Sequence, residues 1–428
     1  MMFDEFEPGV QYAIEEDKAD VLSVFREKFH VPKKKGKEVI YFCGNSLGLQ
    51  PVNAAVAVRE EMNNWRARGV EGHFYGVNPW VSYSKMSKKG LSQLLGTKES
   101  EVVCMNNLTT NLHLLLASFY KPQGSRKKIL IERGAFPSDH FAVASFIQLL
   151  GNDPNDCLVE LEIPDDGYLK LEAIENAIAE LGDELALVML PGVQYYTGQF
   201  FNLARITAAA HKVGAYAGFD LAHAIGNLPM NLHKDKVDFA TWCSYKYLNS
   251  GPGNVSGIYV HEKHGDDPNF PRLAGWWGHN DKTRFQMKNE FDPMPGADGW
   301  QLSNMNIIPT AIHHESLSIF EEAGIDRLRK KSIKLTSYLH YLLETTEHIK
   351  SNIKIITPVN PEERGCQLSL FLPNHGKEIF EFLIENGVVL DWREPNVIRV
   401  APTPLYNSFQ EVFNFSNILM RAFRKNNG

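Results

Sequence analysis

The chain has 428 residues, 43% of them hydrophobic and 22% charged, with a formal net charge of −7. That is an ordinary soluble composition, long enough for about two or three domains of roughly 150 residues around a large core. The acidic balance argues against nucleic acid as a first partner, and five scattered cysteines without a Cys-x-x-Cys pair argue against a zinc knuckle or disulfide framework and fit a reducing cytoplasm.

In chain order, "MMFDEFEPGVQYAIEEDKAD" is acidic from its fourth residue, holds no long apolar run and does not read as a secretion signal. Nowhere does a run of about 18 apolar residues suggest a membrane span. The basic "VPKKKGK" at 31–37 reads as a solvated loop. "VVCMNNLTTNLHLLLASF" reads as a strand ending near Met105 and a helix opening near Thr109, its apolar face marked by Leu112, Leu115, Leu116 and Phe119. "KKILIE" (127–132), "ALVMLP" (186–191), "GAYAGFD" (214–220), "DFATWC" (238–243) and "SGIYVH" (256–261) read as buried strands. Between two of them, "NLARITAAAHKVG" (202–214) reads as a helix capped by Asn202 and ended by Gly214. Strand, helix, strand at this rhythm means βαβ units and a mostly parallel sheet, an α/β fold.

After about residue 310 the pattern changes. Residues 311–346 read as one long helical stretch, "CQLSLFLP" as a strand, "KEIFEFLIENG" as a helix, and "VVLDWRE" and "NVIRVAP" as two more strands. The expected organisation is an N-terminal segment (1–50) packing near a smaller α+β C-terminal domain (311–428), with a large ligand-binding domain (51–310) between them. No internal repeat or low-complexity tract stands out.

Ligands of open α/β sheets sit beyond the C-terminal ends of the strands. One such end carries Asp220 and His223, another "SYKYLNSGPG" with Lys246 between two tyrosines, and a third opens the helix near Thr109. Each residue has a plain structural reading. Lys246 is then a surface lysine lying across a tyrosine, Thr109 or Thr110 a helix cap, Asp220 a turn residue, His223 a satisfied core histidine and Phe136 core packing. Together they meet a different need. A helix opening favours a phosphate, Phe136 before Pro137 offers an aromatic face, and Asp220 offers a carboxylate for a protonated ring nitrogen. Lys246 offers an amine for a Schiff base, shielded by its tyrosines. With no GxGxxG and no GxxxxGK[ST], these are the requirements of pyridoxal phosphate.

The motifs "FCGNSLGLQP" (42–51), "NNLTTNLHLLLASFY" (106–120), "AFPSDH" (135–140), "YYTGQFFNLARIT" (195–207), "GFDLAHAIGN" (218–227), "WCSYKYLNSGPG" (242–253), "GWWGH" (275–279), "QLSNMNIIP" (301–309) and "IRVAPTPLYNS" (398–408) span nearly the whole chain. In that order they resemble the kynureninases, of the fold-type I pyridoxal phosphate enzymes. The resemblance implies hydrolytic Cβ–Cγ cleavage of L-kynurenine or 3-hydroxy-L-kynurenine to anthranilate or 3-hydroxyanthranilate plus L-alanine, in tryptophan catabolism and NAD biosynthesis. It implies Lys246, Tyr245 and Asp220 as catalytic residues. Cofactor contacts would come from Leu108, Thr109, Phe136, Pro137, Ser138, Asp139, Asp220, His223, Tyr245 and Lys246, with Trp276 and Asn304 supplied by the second subunit of a cytoplasmic homodimer. Ser46, His73, Ser303, Asn304 and Arg399 would bind substrate, Arg399 its α-carboxylate, and no metal is implied. The polar His73, Ser303 and Asn304 resemble the eukaryotic type, which favours the 3-hydroxy substrate. One departure is Pro191 in "VMLPGVQYY", where relatives often carry serine; a proline offers neither a hydroxyl nor an N–H. The competing readings are another fold-type I enzyme, a cysteine desulfurase or an aminotransferase, and a cofactor-binding regulator without turnover. A desulfurase needs a cysteine on a mobile loop, whereas Cys366 sits in a stretch that reads as a buried strand.

Overall fold

Seven short apolar runs assemble one sheet in the computed structural model, which describes residues 5–164 and 167–426. They are β1 (Val102–Cys104), β2 (Lys128–Glu132), β3 (Leu158–Leu161), β4 (Leu185–Pro191), β5 (Tyr216–Asp220), β6 (Phe239–Trp242) and β7 (Gly257–Val260), in the spatial order β1-β7-β6-β5-β4-β2-β3. The pairs β6–β5, β5–β4, β4–β2 and β2–β3 are parallel; β7 runs antiparallel to both β1 and β6. Side chains alternate between faces: Leu187 and Met189 enter one apolar cluster, Val188 and Leu190 another. Helices cover both faces, which is why these strands read as continuous apolar runs. Edge strand β3 was not legible in the sequence, because Leu158, Val159 and Glu160 are only half-buried and show no clear period.

The stretch 311–346 is corrected from one helix to two, Ile307–Ala323 and Ile325–Thr345, broken at Gly324 with φ +75°. A second, antiparallel sheet follows, built of β8 (Lys354–Ile355), β9 (Leu368–Phe371), β10 (Asp391–Arg393) and β11 (Val397–Val400) in the order β8-β9-β11-β10. Leu339, Leu370, Ile398 and Phe415 belong to its own apolar cluster, shared with the helices Gly376–Glu385 and Phe409–Asn426. "VVLDWRE" is not one strand. Val388–Val389 pairs in parallel with Ile40–Tyr41, and only Asp391–Arg393 joins the sheet. Phe42 continues that junction: its amide donates to Val389 O and its carbonyl accepts from Ala401 N, each at 3.0 Å. Among the described residues no helix is long and apolar enough to cross a membrane.

Candidate active site

The parallel strands all point their C-terminal ends to one edge, and the polar residues gather there. After β5 the chain makes a hydrogen-bonded turn. Ala222 N donates to Asp220 Oδ1 at 2.7 Å, and Ala224 N to Leu221 O at 2.9 Å, which brings His223 round beside Asp220. After β6, Lys246 sits in a loop held by residues 48 and 49: Gly48 N donates to Tyr245 O at 2.8 Å and Leu49 N to Asn249 Oδ1 at 3.1 Å. A side chain at Gly48 would place its Cβ 2.3 Å from Lys246 O, so this approach requires glycine. After β1, the helix Leu108–Phe119 is capped by Asn107, whose side chain accepts from Thr110 N, and not by Thr109 or Thr110. Thr109 Oγ1 is left to meet Ser138 Oγ at 2.8 Å, beside helix-opening amides that have no carbonyl partner within the helix.

These ends enclose a cavity of about 540 Å³, mouth included, lined by Leu108, Thr109, Phe136, Ser138, Asp139, Asp220, His223, Tyr245 and Lys246 among others. Lys246 Nζ lies 2.9 Å from His223 Nε2 and 5.7 Å from the centre of the Phe136 ring. The expectation that two tyrosines shield the amine is corrected. Tyr245 stands 6.0 Å from Nζ, but Tyr247 is buried and turns towards His223, and Phe136 takes the second place.

Burial governs the charges. It pushes Asp139 well above the carboxylate range, and neighbouring Asp220 adds to the shift. Asp220 is raised too, but Lys246 and the Ala222 amide oppose the change. Burial, then Lys246, Arg399 and Arg393, hold His223 well below the usual histidine range, so its ring is neutral. Burial also raises the Tyr245 phenol, with Cys243 adding, so it keeps its proton at neutral pH. Asp139 Oδ1, His223 Nδ1 and Glu132 Oε2 are buried without a partner. Buried polar atoms are normally paired, so these mark the place of a polar ligand.

Glu132, Val193, Tyr195, Ala222 and Cys243 also line the cavity and were missed. Glu132 was findable: it ends β2 just as Asp220 ends β5. Pro191 lines the wall opposite Asp220 in the β4–β5 register. Pro137 opens the helix Pro137–Leu149 that carries Ser138 and Asp139. Arg399 is 0% exposed and donates from Nη1 to Tyr195 O at 2.8 Å, which joins it to the cavity wall. Ser46 Oγ donates to Asp391 at 2.7 Å. His73, Trp276, Ser303 and Asn304 lie outside the cavity lining of their own chain. Trp276, Ser303 and Asn304 are exposed, and His73 Nδ1 faces Val70 O at 3.0 Å.

A family model described as "Kynureninase C-terminal domain" matches residues 328–419. Over 98% of its length the chain is 50% identical to a kynureninase of Flavobacterium psychrophilum, all of which is covered. Over 94% it is 51% identical to a kynureninase of Stenotrophomonas maltophilia, of which 96% is covered. Among solved structures, an apo cysteine desulfurase from Thermococcus onnurineus superposes with a TM-score of 0.73 at 19% identity, covering 90% of this chain and 95% of that one. A C-DES variant with glycine covalently linked to its PLP cofactor superposes with a TM-score of 0.72 at 17% identity, covering 89% and 96%. At such identities the structural likeness concerns the fold alone, which is that of fold-type I enzymes.

Proposed function

The chain belongs to the kynureninase family, and on that premise we propose that it hydrolyses kynurenine to anthranilate and L-alanine with pyridoxal phosphate as cofactor. The observation that carries the reading is Lys246 Nζ 2.9 Å from a neutral His223, in a cavity that Asp220 also lines. The residues fit the group. The Thr109 and Ser138 hydroxyls with the Leu108 and Thr109 amides suit a phosphate. Asp220, backed by Asp139, suits a protonated ring nitrogen, Phe136 suits the ring face, and Lys246 suits the cofactor's carbonyl carbon. When bound, the group supplies an electron sink for the bonds broken at the substrate.

The protein's own part is proton handling and placement. With the cofactor bound, Lys246 would take the proton from Cα as general base. Its neighbour His223, being neutral, accepts a hydrogen bond from it without adding charge. Tyr245, held as a phenol, exchanges a proton near Cβ and the γ-carbonyl, where water adds and the carbon–carbon bond breaks. Arg399 pairs with the α-carboxylate.

The test is release of fluorescent anthranilate from kynurenine by the yellow holoenzyme, with borohydride fixing the cofactor to the peptide that holds Lys246. Attachment to another lysine would sink the assignment. The desulfurase reading, favoured by fold likeness, meets five free and buried cysteines, with burial pushing the Cys366 thiol up to about 12.

The chain divides at about residues 50 and 310, acts in tryptophan catabolism and towards NAD biosynthesis, and works in the cytoplasm, as its free thiols suggest. It forms a homodimer whose partner supplies Trp276 and Asn304. Support comes from a row of exposed aromatics, Trp276, Phe285 and Phe74, with successive ring centres 5.7 and 5.8 Å apart, of the kind that marks an interface. The 3-hydroxy substrate is preferred, because polar groups at His73, Ser303 and Asn304 placed for a ring hydroxyl lose roughly 1–3 kcal/mol when it is absent. The kcat/KM for 3-hydroxykynurenine should exceed that for kynurenine, and replacing His73 and Asn304 should narrow the gap. Equal values in the wild type overturn this preference.

A further inference from the structure

Arg399 stands on β11 directly opposite Asp391 on β10. Its guanidinium is fully buried, and a buried guanidinium without a carboxylate is costly. Nε donates to Asp391 Oδ1 at 3.1 Å, and Nη1 donates to Tyr195 O at 2.8 Å. Nη2 pairs with Asp391 Oδ2 at 2.7 Å, and its second N–H points away from that carboxylate. One edge of the fork is therefore fixed by Asp391, while N–H groups at the Nη1–Nη2 end are left to be met by another acceptor.

The same carboxylate organises more than Arg399. Asp391 Oδ2 accepts from Ser46 Oγ at 2.7 Å, and Oδ1 lies 2.9 Å from Arg393 Nε. Burial alone would raise this carboxyl, but Arg399, Ser46 and Arg393 outweigh burial and keep it below its ordinary value, hence ionised. A single anion thus joins the loop at Ser46, the β10–β11 pair and, through Arg399, the Tyr195 wall of the cavity.

We infer that Asp391 is the positioning residue of the carboxylate subsite: it anchors the Nε edge of Arg399 so that the opposite end of the guanidinium receives the α-carboxylate of the substrate. The inference rests on the reading of Arg399 as the carboxylate ligand. Ser46 then serves by holding Asp391, since its hydroxyl proton is already committed there. Without the anchor, the fork must be ordered at each binding event, and the loss falls on substrate affinity rather than on bond cleavage.

The experiment compares Asp391→Asn with wild type in holoenzyme whose cofactor absorbance confirms loading. Kynurenine serves as the substrate, and kynuramine, which lacks only the α-carboxylate, is tested as the competing ligand. The KM for kynurenine should rise on the order of tenfold with kcat changed little, while the kynuramine inhibition constant stays within about twofold. An unchanged or lower KM overturns the inference, as does an equal weakening of kynuramine, which would mean a merely structural role. If Asp391→Asn does not fold, Asp391→Glu, which keeps the charge but moves it by one methylene, takes its place: the same rise in KM is expected, and the same two results overturn the inference. Arg399→Met separates the two levels. If Arg399→Met weakens kynurenine and kynuramine equally, the reading of Arg399 falls and the inference with it. If Arg399→Met weakens kynurenine alone but the Asp391 variants do not, only the inference falls.

Discussion

Glu132 is 1% exposed at the end of β2, and burial, opposed in part by its own backbone amide and reinforced by Asp220, pushes its carboxyl up to about 8 from an ordinary 4.5. A carboxyl raised in this way holds its proton in the folded protein at pH values where the unfolded chain has lost it. Its contribution to stability is complete below pH 4.5 and is lost progressively as the pH rises to about 8. Glu132→Gln is neutral at every pH and lacks this dependence. The difference in melting temperature between Glu132→Gln and wild type should therefore shift in favour of glutamine from pH 5 to 8, by an amount equivalent to a few kcal/mol at most. A difference that stays flat with pH would show that Glu132 is ionised in the folded state. Lys246 and Asp220 were legible because each follows an apolar strand and has a chemistry that stands out from its neighbours. Glu132 ends a strand with the same pattern, but no neighbouring residue in the sequence gives it a chemistry to serve. Asp391 was invisible for a different reason: its role exists only through the side chains opposite it, and a cross-strand register cannot be read from one strand.

Gly324 sets the geometry of two helices. Its φ of 75° with ψ of 124° is open to glycine and strained for any other residue, while the space around it is nearly free, the nearest atom to an added Cβ being Arg327 Nε at 3.6 Å. Gly324→Ala should therefore lower stability through backbone strain and not through a clash, by on the order of 1–3 kcal/mol, seen as a lower urea midpoint at unchanged slope. An unchanged midpoint would mean that the two helices can run on as one. Periodicity missed this break because apolar positions continue through it; only the lone glycine signalled it, and isolated glycines inside helices are common enough to be read through. The central strands were legible because burial on both faces leaves an unbroken apolar run. Val388–Val389 was misjoined to Asp391–Arg393 because a pairing with Ile40–Tyr41, so distant in the chain, leaves no local mark.

At the scale of the molecule, the proposed dimer gives the sharpest test. Lys246→Ala and Trp276→Ala chains, each inactive alone, should regain activity when mixed and exchanged, because a heterodimer gathers both defects in one site and leaves the other whole. Random exchange should restore roughly a quarter of the wild-type rate; no recovery after verified exchange counts against a shared site. The placement of the first 50 residues was argued from architecture alone, since their strands are only two residues long and carry no period. The junction of residues 40–41 with 388–389 also fixes an order in time. A ribosome that has released Val260 has already made every strand of the central sheet, together with Asp220 and Lys246. Ile40 and Tyr41 still wait for partners that emerge near the end of synthesis, and Ser46 waits for Asp391. Until then the nascent chain presents an open strand edge, which other chains can pair with and which chaperones must cover. A ribosome stalled short of residue 388 thus leaves a client for quality control, not a slow enzyme.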